Sequence, residues 1–134
     1  MKLLDTSTLV KMQVFWLMLA IGFNLVSIWR VSEGGQALIS GRDPVHSIVF
    51  LLLFLLPIGL TVTGYHRASA LSNIALLLPL FVSGLIIHVL RYFNNDQSMY
   101  LSQLVWSVAV LINLYGVLVG VLLSISAWKR SART

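Results

Sequence analysis

Four long apolar runs, separated by short polar stretches, organise the chain. The runs cover residues 12–28, 45–64, 71–90 and 101–128; with their flanks they predict helical spans of about 11–30, 45–64, 71–92 and 100–128. A helix rises about 1.5 Å per residue and the hydrocarbon core of a bilayer is about 30 Å thick, so about 20 residues cross it. The fourth run is longer and is expected to tilt or protrude. Each span must be helical, because open strands leave backbone groups unpaired in lipid. The expected fold is an all-α integral membrane protein, with one four-span domain over residues 1–134. Short connections make sequential helices antiparallel neighbours in a four-helix bundle.

The connections are expected at residues 32–43, 65–70 and 94–98. The first contains Gly34, Gly35 and Gly41 and ends in Asp43-Pro44. That pair is a good helix start, since Asp caps the helix and Pro at the first position loses no useful N–H. Pro57 and Pro79 fall mid-span. Each removes a backbone hydrogen bond and can kink its helix, as purely structural bundles also tolerate. Asn24, inside the first span, needs a hydrogen-bond partner there.

Composition supports the membrane reading. Hydrophobic residues make up 58% of the chain and charged residues 10%, against roughly 25% charged in a soluble domain. So short a soluble chain could not hide this much apolar surface. The absence of cysteine excludes disulfides and thiolate metal sites. The net charge of +5 does not point to nucleic acid, because the basic residues lie at the ends of apolar runs and form no patch interleaved with aromatics. Lys2 and Lys11 precede an apolar stretch as in a signal peptide, but Asp5 lies among them and no small-x-small site follows; a retained first span is expected.

Charge also predicts orientation. Lys2, Lys11, Arg67, Lys129, Arg130 and Arg133 share one side of a four-span chain. Arg30, Arg42 and Arg91 share the other, offset by Glu33, Asp43 and Asp96. The positive-inside rule then places both termini in the cytoplasm, most naturally of a bacterial-type inner membrane. Trp29, Tyr92 and Tyr100 fall at the outer interface, and Tyr65 and Trp128 at the inner one.

Two groups of residues are candidates for function. His46 begins the second span and His88 lies near the end of the third, so antiparallel helices bring both to similar depth near the outer face. Paired histidines suit a bis-histidine haem b, with Arg42 and Arg91 near its propionates. A quinone head could use the same donors, with Tyr92 or Tyr100 added. The plain alternative is two wet interfacial histidines. Spans two and three are moreover expected in direct contact, about 8–10 Å apart, and a haem needs a wider gap. His66, at the inner end of span two, is expected to face headgroups. The second group is Asn113, Gly116, Gly120 and Ser124, which share one face of span four. Such a face suits close packing, within the bundle or against a partner or second copy.

The four-span size resembles the small multidrug-resistance exporters in architecture only. Those need a carboxylate inside the membrane, whereas Asp5, Glu33, Asp43 and Asp96 lie outside or at the ends of the spans. Four-span quinone-linked disulfide oxidoreductases need cysteines. Serine-hydrolase, zinc-protease and phosphate-loop motifs do not appear. Three functions remain. The leading expectation is an accessory or structural subunit of a larger membrane complex, without catalytic activity of its own, with lipid and other subunits or self-association as partners. The others are a redox-linked anchor binding haem b or quinone, and a small oligomeric transporter.

Overall fold

The computed structural model describes residues 5–132. Lys2 and Arg133, two of the six basic residues used for orientation, lie outside the described residues. The elements are α1 (Thr6–Ser32), α2 (Pro44–Leu52), α3 (Leu55–Val62), α4 (His66–Phe81), a π-helical turn (Val82–Ile86), α5 (Ile87–Phe93) and α6 (Gln103–Ser131). Four helical rods are long and apolar enough to cross a membrane: Thr6–Ser32, Pro44–Val62, His66–Phe93 and Gln103–Ser131. α1 packs on α2 and α6, α6 packs on α4, and α4 packs on α3, so the rods form a closed ring of four. The first and last described residues and the tight turn at 63–65 share one end of the bundle, the terminal end. The longer connections share the other, the far end.

Three helix starts differ from the sequence expectation by three residues or more, each for a local reason. The first rod starts at Thr6, because Thr6 and Leu9 are buried and the Thr6 hydroxyl bonds Ser126 Oγ at 2.6 Å. Lys11 is an exposed residue inside this rod. The third rod starts at His66, not residue 71, because Gly64 takes φ +88° and reverses the chain at once; the Tyr65 N–H returns to Leu60 O at 2.8 Å. The last rod starts at Gln103, where Ser102 Oγ accepts from Val105 N–H at 3.2 Å. Tyr100 and Leu101 belong instead to the connection, and tie it to the other far-end connection through Ser40 N–H to Met99 O at 2.7 Å and Leu101 N–H to Leu38 O at 3.0 Å.

The main core joins the first three rods through Trp16, Leu17, Leu51, Phe54, Leu77 and Leu80, and Ile112, Tyr115 and Val117 of the fourth pack against it. Trp16 and Phe54 meet edge to face, with centroids 4.9 Å apart. Outward faces are as apolar as the core: Met18 is 67% exposed, Val62 71% and Leu104 72%.

Both prolines interrupt their rods. Pro57 has no N–H to offer Leu53, and the second rod breaks between Leu52 and Leu55. The Pro57 carbonyl accepts from Thr61 Oγ1 at 3.0 Å and from Ser69 Oγ at 2.7 Å, which fastens α3 to α4. Pro79 is followed by the π-turn, and Ser83 Oγ donates back to Pro79 O at 2.6 Å.

Candidate functional site

The two interruptions act together at the far end. α3 stays packed on α4, but above the break α2 makes its main contacts with α1. Direct contact between spans two and three is thus concentrated in the terminal half. The π-turn widens the third rod on the opposite side. Between them lies a cavity of about 390 Å³. Its apolar lining includes Phe23, Phe50, Leu51, Leu80 and Ile112, and its polar lining is Asn24, Arg42, Asp43, His46, Ser47, Ser83, His88 and Asn113.

A π-turn takes carbonyls out of the regular helical ladder, and two are met by side chains. Ser83 O accepts from Arg42 Nη2 at 3.0 Å, and Gly84 O accepts from Asn113 Nδ2 at 2.5 Å. Gly84 permits this approach, since a Cβ there would lie 3.2 Å from Asn113 Nδ2. Arg42 follows Gly41, whose φ of +73° favours glycine and turns the chain towards the cavity.

His88 is buried and its surroundings set its tautomer. Arg42 Nη1 stands 3.4 Å from Nε2. A guanidinium only donates, so Nε2 accepts and Nδ1 carries the proton, donating to the Tyr100 hydroxyl. The His88 carbonyl accepts from Trp106 Nε1 at 2.9 Å. Burial raises the Tyr100 phenol above its ordinary pKa, opposed by the positive charges of Arg91 and Arg42. The Arg42 residue is exposed overall, but its guanidinium end enters the cavity, and loss of water lowers its pKa; Tyr100 opposes that shift and Arg91 adds to it. No carboxylate among the described residues forms an ion pair with Arg42.

His46 occupies the exposed mouth. Its Nδ1 lies 2.5 Å from Asp43 Oδ2, while Asp43 Oδ1 accepts from Val45 N–H at 2.8 Å and caps α2. The hydrogen bond from His46 first, and that from Val45 second, hold the Asp43 carboxyl below its ordinary range. Arg91 stands aside from the cavity and pairs with Asp96 at 3.5 Å. The structure therefore brings His46, His88 and Arg42 to one cavity and leaves Arg91 outside it. Asn24, expected to seek a partner, donates to Ala20 O of its own helix at 2.8 Å and also lines the cavity. A haem iron needs a free imidazole nitrogen. Both of His88 are engaged, so axial ligation would require Arg42 to withdraw.

The second group faces into the bundle. A Cβ on Gly116 would lie 2.1 Å from the Trp16 ring, and one on Gly120 2.6 Å from Leu77. Ser124 Oγ accepts from Asn73 Nδ2 at 3.0 Å, which also donates to Gly120 O at 2.9 Å. The small-residue face is filled from within the chain. His66, at the start of α4, is half-buried, with no hydrogen-bond partner at Nδ1.

Sequence reasoning did not single out Asn73, Gln13 or Trp106. Asn73 and Gln13 carried a usable signal, being amides inside apolar runs. Trp106 carried none, since its role depends on the His88 carbonyl across the bundle. Comparison of the chain with protein-family models, curated proteins and solved structures yields no match.

Proposed function

We propose that this protein sits in a bacterial-type cytoplasmic membrane with both termini in the cytoplasm, and that its outward-facing cavity binds the oxygen-bearing head of a lipid-soluble ligand, a quinone. Four apolar rods and the bias of basic residues towards the terminal end support the placement. The observation that carries the ligand is Arg42, a guanidinium with no carboxylate ion-pair partner among the described residues, aimed into a cavity that combines apolar walls with a few polar groups, among them the Asp43 carboxylate turned to His46. Pockets of this kind, apolar with a few convergent polar groups, suit small-molecule ligands. Arg42 donates to a head oxygen, and Asn24 or His46 meets the opposite edge. Phe23, Phe50 and Leu80 hold the ring, while His88, fixed by Tyr100 and Trp106, keeps the guanidinium aimed.

The engaged nitrogens of His88 favour quinone over haem b. A bound quinone exchanges electrons only with a second redox group, and the chain has no cysteine to supply a dithiol. The protein is thus best read as a small subunit of a larger membrane complex that contributes a quinone site. The face of Gly116 and Gly120 gives no separate support for such a partnership, because Trp16 and Leu77 fill it.

The test is a titration of the detergent-purified protein with decyl-ubiquinone, followed by quenching of tryptophan fluorescence. Saturable binding is expected, weakened about tenfold or more in Arg42→Gln, since a hydrogen bond to a charged donor contributes about 1.5–3 kcal/mol. Absence of saturation, or equal affinity in Arg42→Gln, sinks the assignment. A reduced-minus-oxidised spectrum with a b-type haem signal lost in His46→Ala and His88→Ala would put haem in its place.

A further inference from the structure

Arg42 brings a charge to the cavity that its own hydrogen bonds do not balance. Its guanidinium donates to the Ser83 carbonyl and to His88 Nε2, both neutral acceptors. No carboxylate among the described residues forms an ion pair with it. Loss of water is the largest cause lowering its pKa, so hydration compensates the charge only in part. A cation in that position gains from an anionic neighbour, since charges withdrawn from water are as a rule paired.

Protons are distributed differently from charge. A guanidinium gives up none in a protein. His88 Nε2 faces Arg42 as an acceptor, and its Nδ1 proton is turned to Tyr100. The Ser47 and Ser83 hydroxyls donate to Asp43 O and Pro79 O. The Asn24 and Asn113 amides donate hydrogen bonds but are not acids. Only His46, at the exposed mouth, is an imidazole in contact with water. The single carboxylate of the lining, Asp43, is exposed there too, with its oxygens turned to Val45 N–H and His46. Beside Arg42 the cavity therefore offers positive charge and no releasable proton.

Building on the quinone reading, we propose that the cavity binds the one-electron-reduced head, the semiquinone anion, more tightly than the neutral quinone, and that Arg42 makes the selection. The step is Q + e− → Q•−. The electron enters the π system of the ring, no bond breaks, no proton moves, and the negative charge collects on the head oxygens. The electron comes from a one-electron redox centre on another subunit. A neutral quinone takes an ordinary hydrogen bond from Arg42, whereas the anion makes a bond in which both partners are charged. With no acid beside Arg42 to protonate it, the radical stays an anion. The site then shifts the population towards that redox state by the difference between the two affinities.

The experiment is a potential-controlled titration of the whole detergent-purified protein with decyl-ubiquinone. Dithionite supplies the electrons through mediators, and electron paramagnetic resonance counts the radical. Tryptophan fluorescence fixes the occupancy first, so that variants are compared at equal occupancy. At a given potential about tenfold more radical is expected than in Arg42→Gln, which corresponds to a quinone/semiquinone potential raised by about 59 mV. Arg42→Lys, which keeps the charge, is expected to fall between the two. The unaltered protein gives a reading that needs no variant: its quinone/semiquinone potential should lie above that of decyl-ubiquinone in empty micelles. No saturable quinone binding would remove the quinone reading and the selection with it. Saturable binding with a potential no higher than in empty micelles, or with equal radical in Arg42→Gln at equal occupancy, would overturn the selection alone and leave Arg42 as a donor to the neutral head.

Discussion

At the terminal end α6 offers glycine and its neighbours occupy the space: Trp16 against Gly116 and Leu77 against Gly120. At the far end the same helix offers Ala109, Ile112 and Asn113 to a cavity. The difference does not lie in α6, which is regular from Gln103 to Ser131. It lies in the rods that face it. Near the terminal turn, α3 and α4 are regular and stitched together by Thr61 and Ser69, whose hydroxyls are 2.5 Å apart. Beyond the interruptions that follow Leu52 and Phe81, the second and third rods separate, and polar side chains take the displaced carbonyls. The comparison teaches that in this bundle closeness follows from helix regularity, and that the breaks make the room.

The largest effect should come from adding one methyl where the packing is tightest. Gly116→Ala is expected to destabilise by about 1–3 kcal/mol or more, because the new Cβ would lie 2.1 Å from the Trp16 ring, which cannot give way without leaving Phe54. Gly120→Ala should cost less, since the Leu77 methyl groups can rotate away. Gly22→Ala, with nothing within 4 Å of the new Cβ, should stabilise by about 0.5–1 kcal/mol. Thermal melting in detergent ranks the three, and a Gly116→Ala protein that melts like the wild type would break the comparison.

An effect no larger than that of Gly116→Ala is expected at the π-turn. Asn113→Ala removes the donor to Gly84 O and should destabilise by about 1–3 kcal/mol through an unpaired carbonyl. It should also weaken decyl-ubiquinone binding. An unaltered affinity would show that the π-turn is packing rather than part of the site. Tyr100→Phe should weaken the same binding less than Arg42→Gln does, because it acts on Arg42 only through His88.

The smallest effect concerns the cavity mouth. Asp43 has a lowered pKa, so its contribution is fully present above its ordinary value of 3.8 and is lost as pH falls through the lower folded value. Melting below pH 4 should therefore be slightly steeper with pH in the wild type than in Asp43→Asn. Identical profiles would mean that the cap and the His46 contact add nothing measurable. The carboxyl is fully exposed, which is why this effect comes last.

Much of the fold was legible, because long apolar runs announce helices that need no partner to satisfy their backbone. The errors fell at the ends: polar first turns such as His66-Arg67, and the start at Thr6, look like loop to a reading based on hydrophobicity. The site was legible only in part. His46, His88 and Arg42 stood out as ionisable residues at the edges of apolar runs, and they line one cavity. Arg91 looked equivalent, yet it turns to Asp96 instead. Gly116 and Gly120 showed that something must come close, without saying what.

The sequence by itself determined the number of apolar helices, the sites of their interruptions and the charge bias between the two ends. These are properties of residues near one another along the chain. Only the tertiary structure decided that Trp16 and Leu77 fill the glycine face, that Arg42 stands at His88 Nε2, and that Asn73 reaches Gly120 and Ser124 of α6. Those choices depend on the rotation and register of one helix against another. Spans that are apolar on every side carry no stripe to encode that rotation, so it is set by which glycines, amides and displaced carbonyls can meet once the four rods pack together.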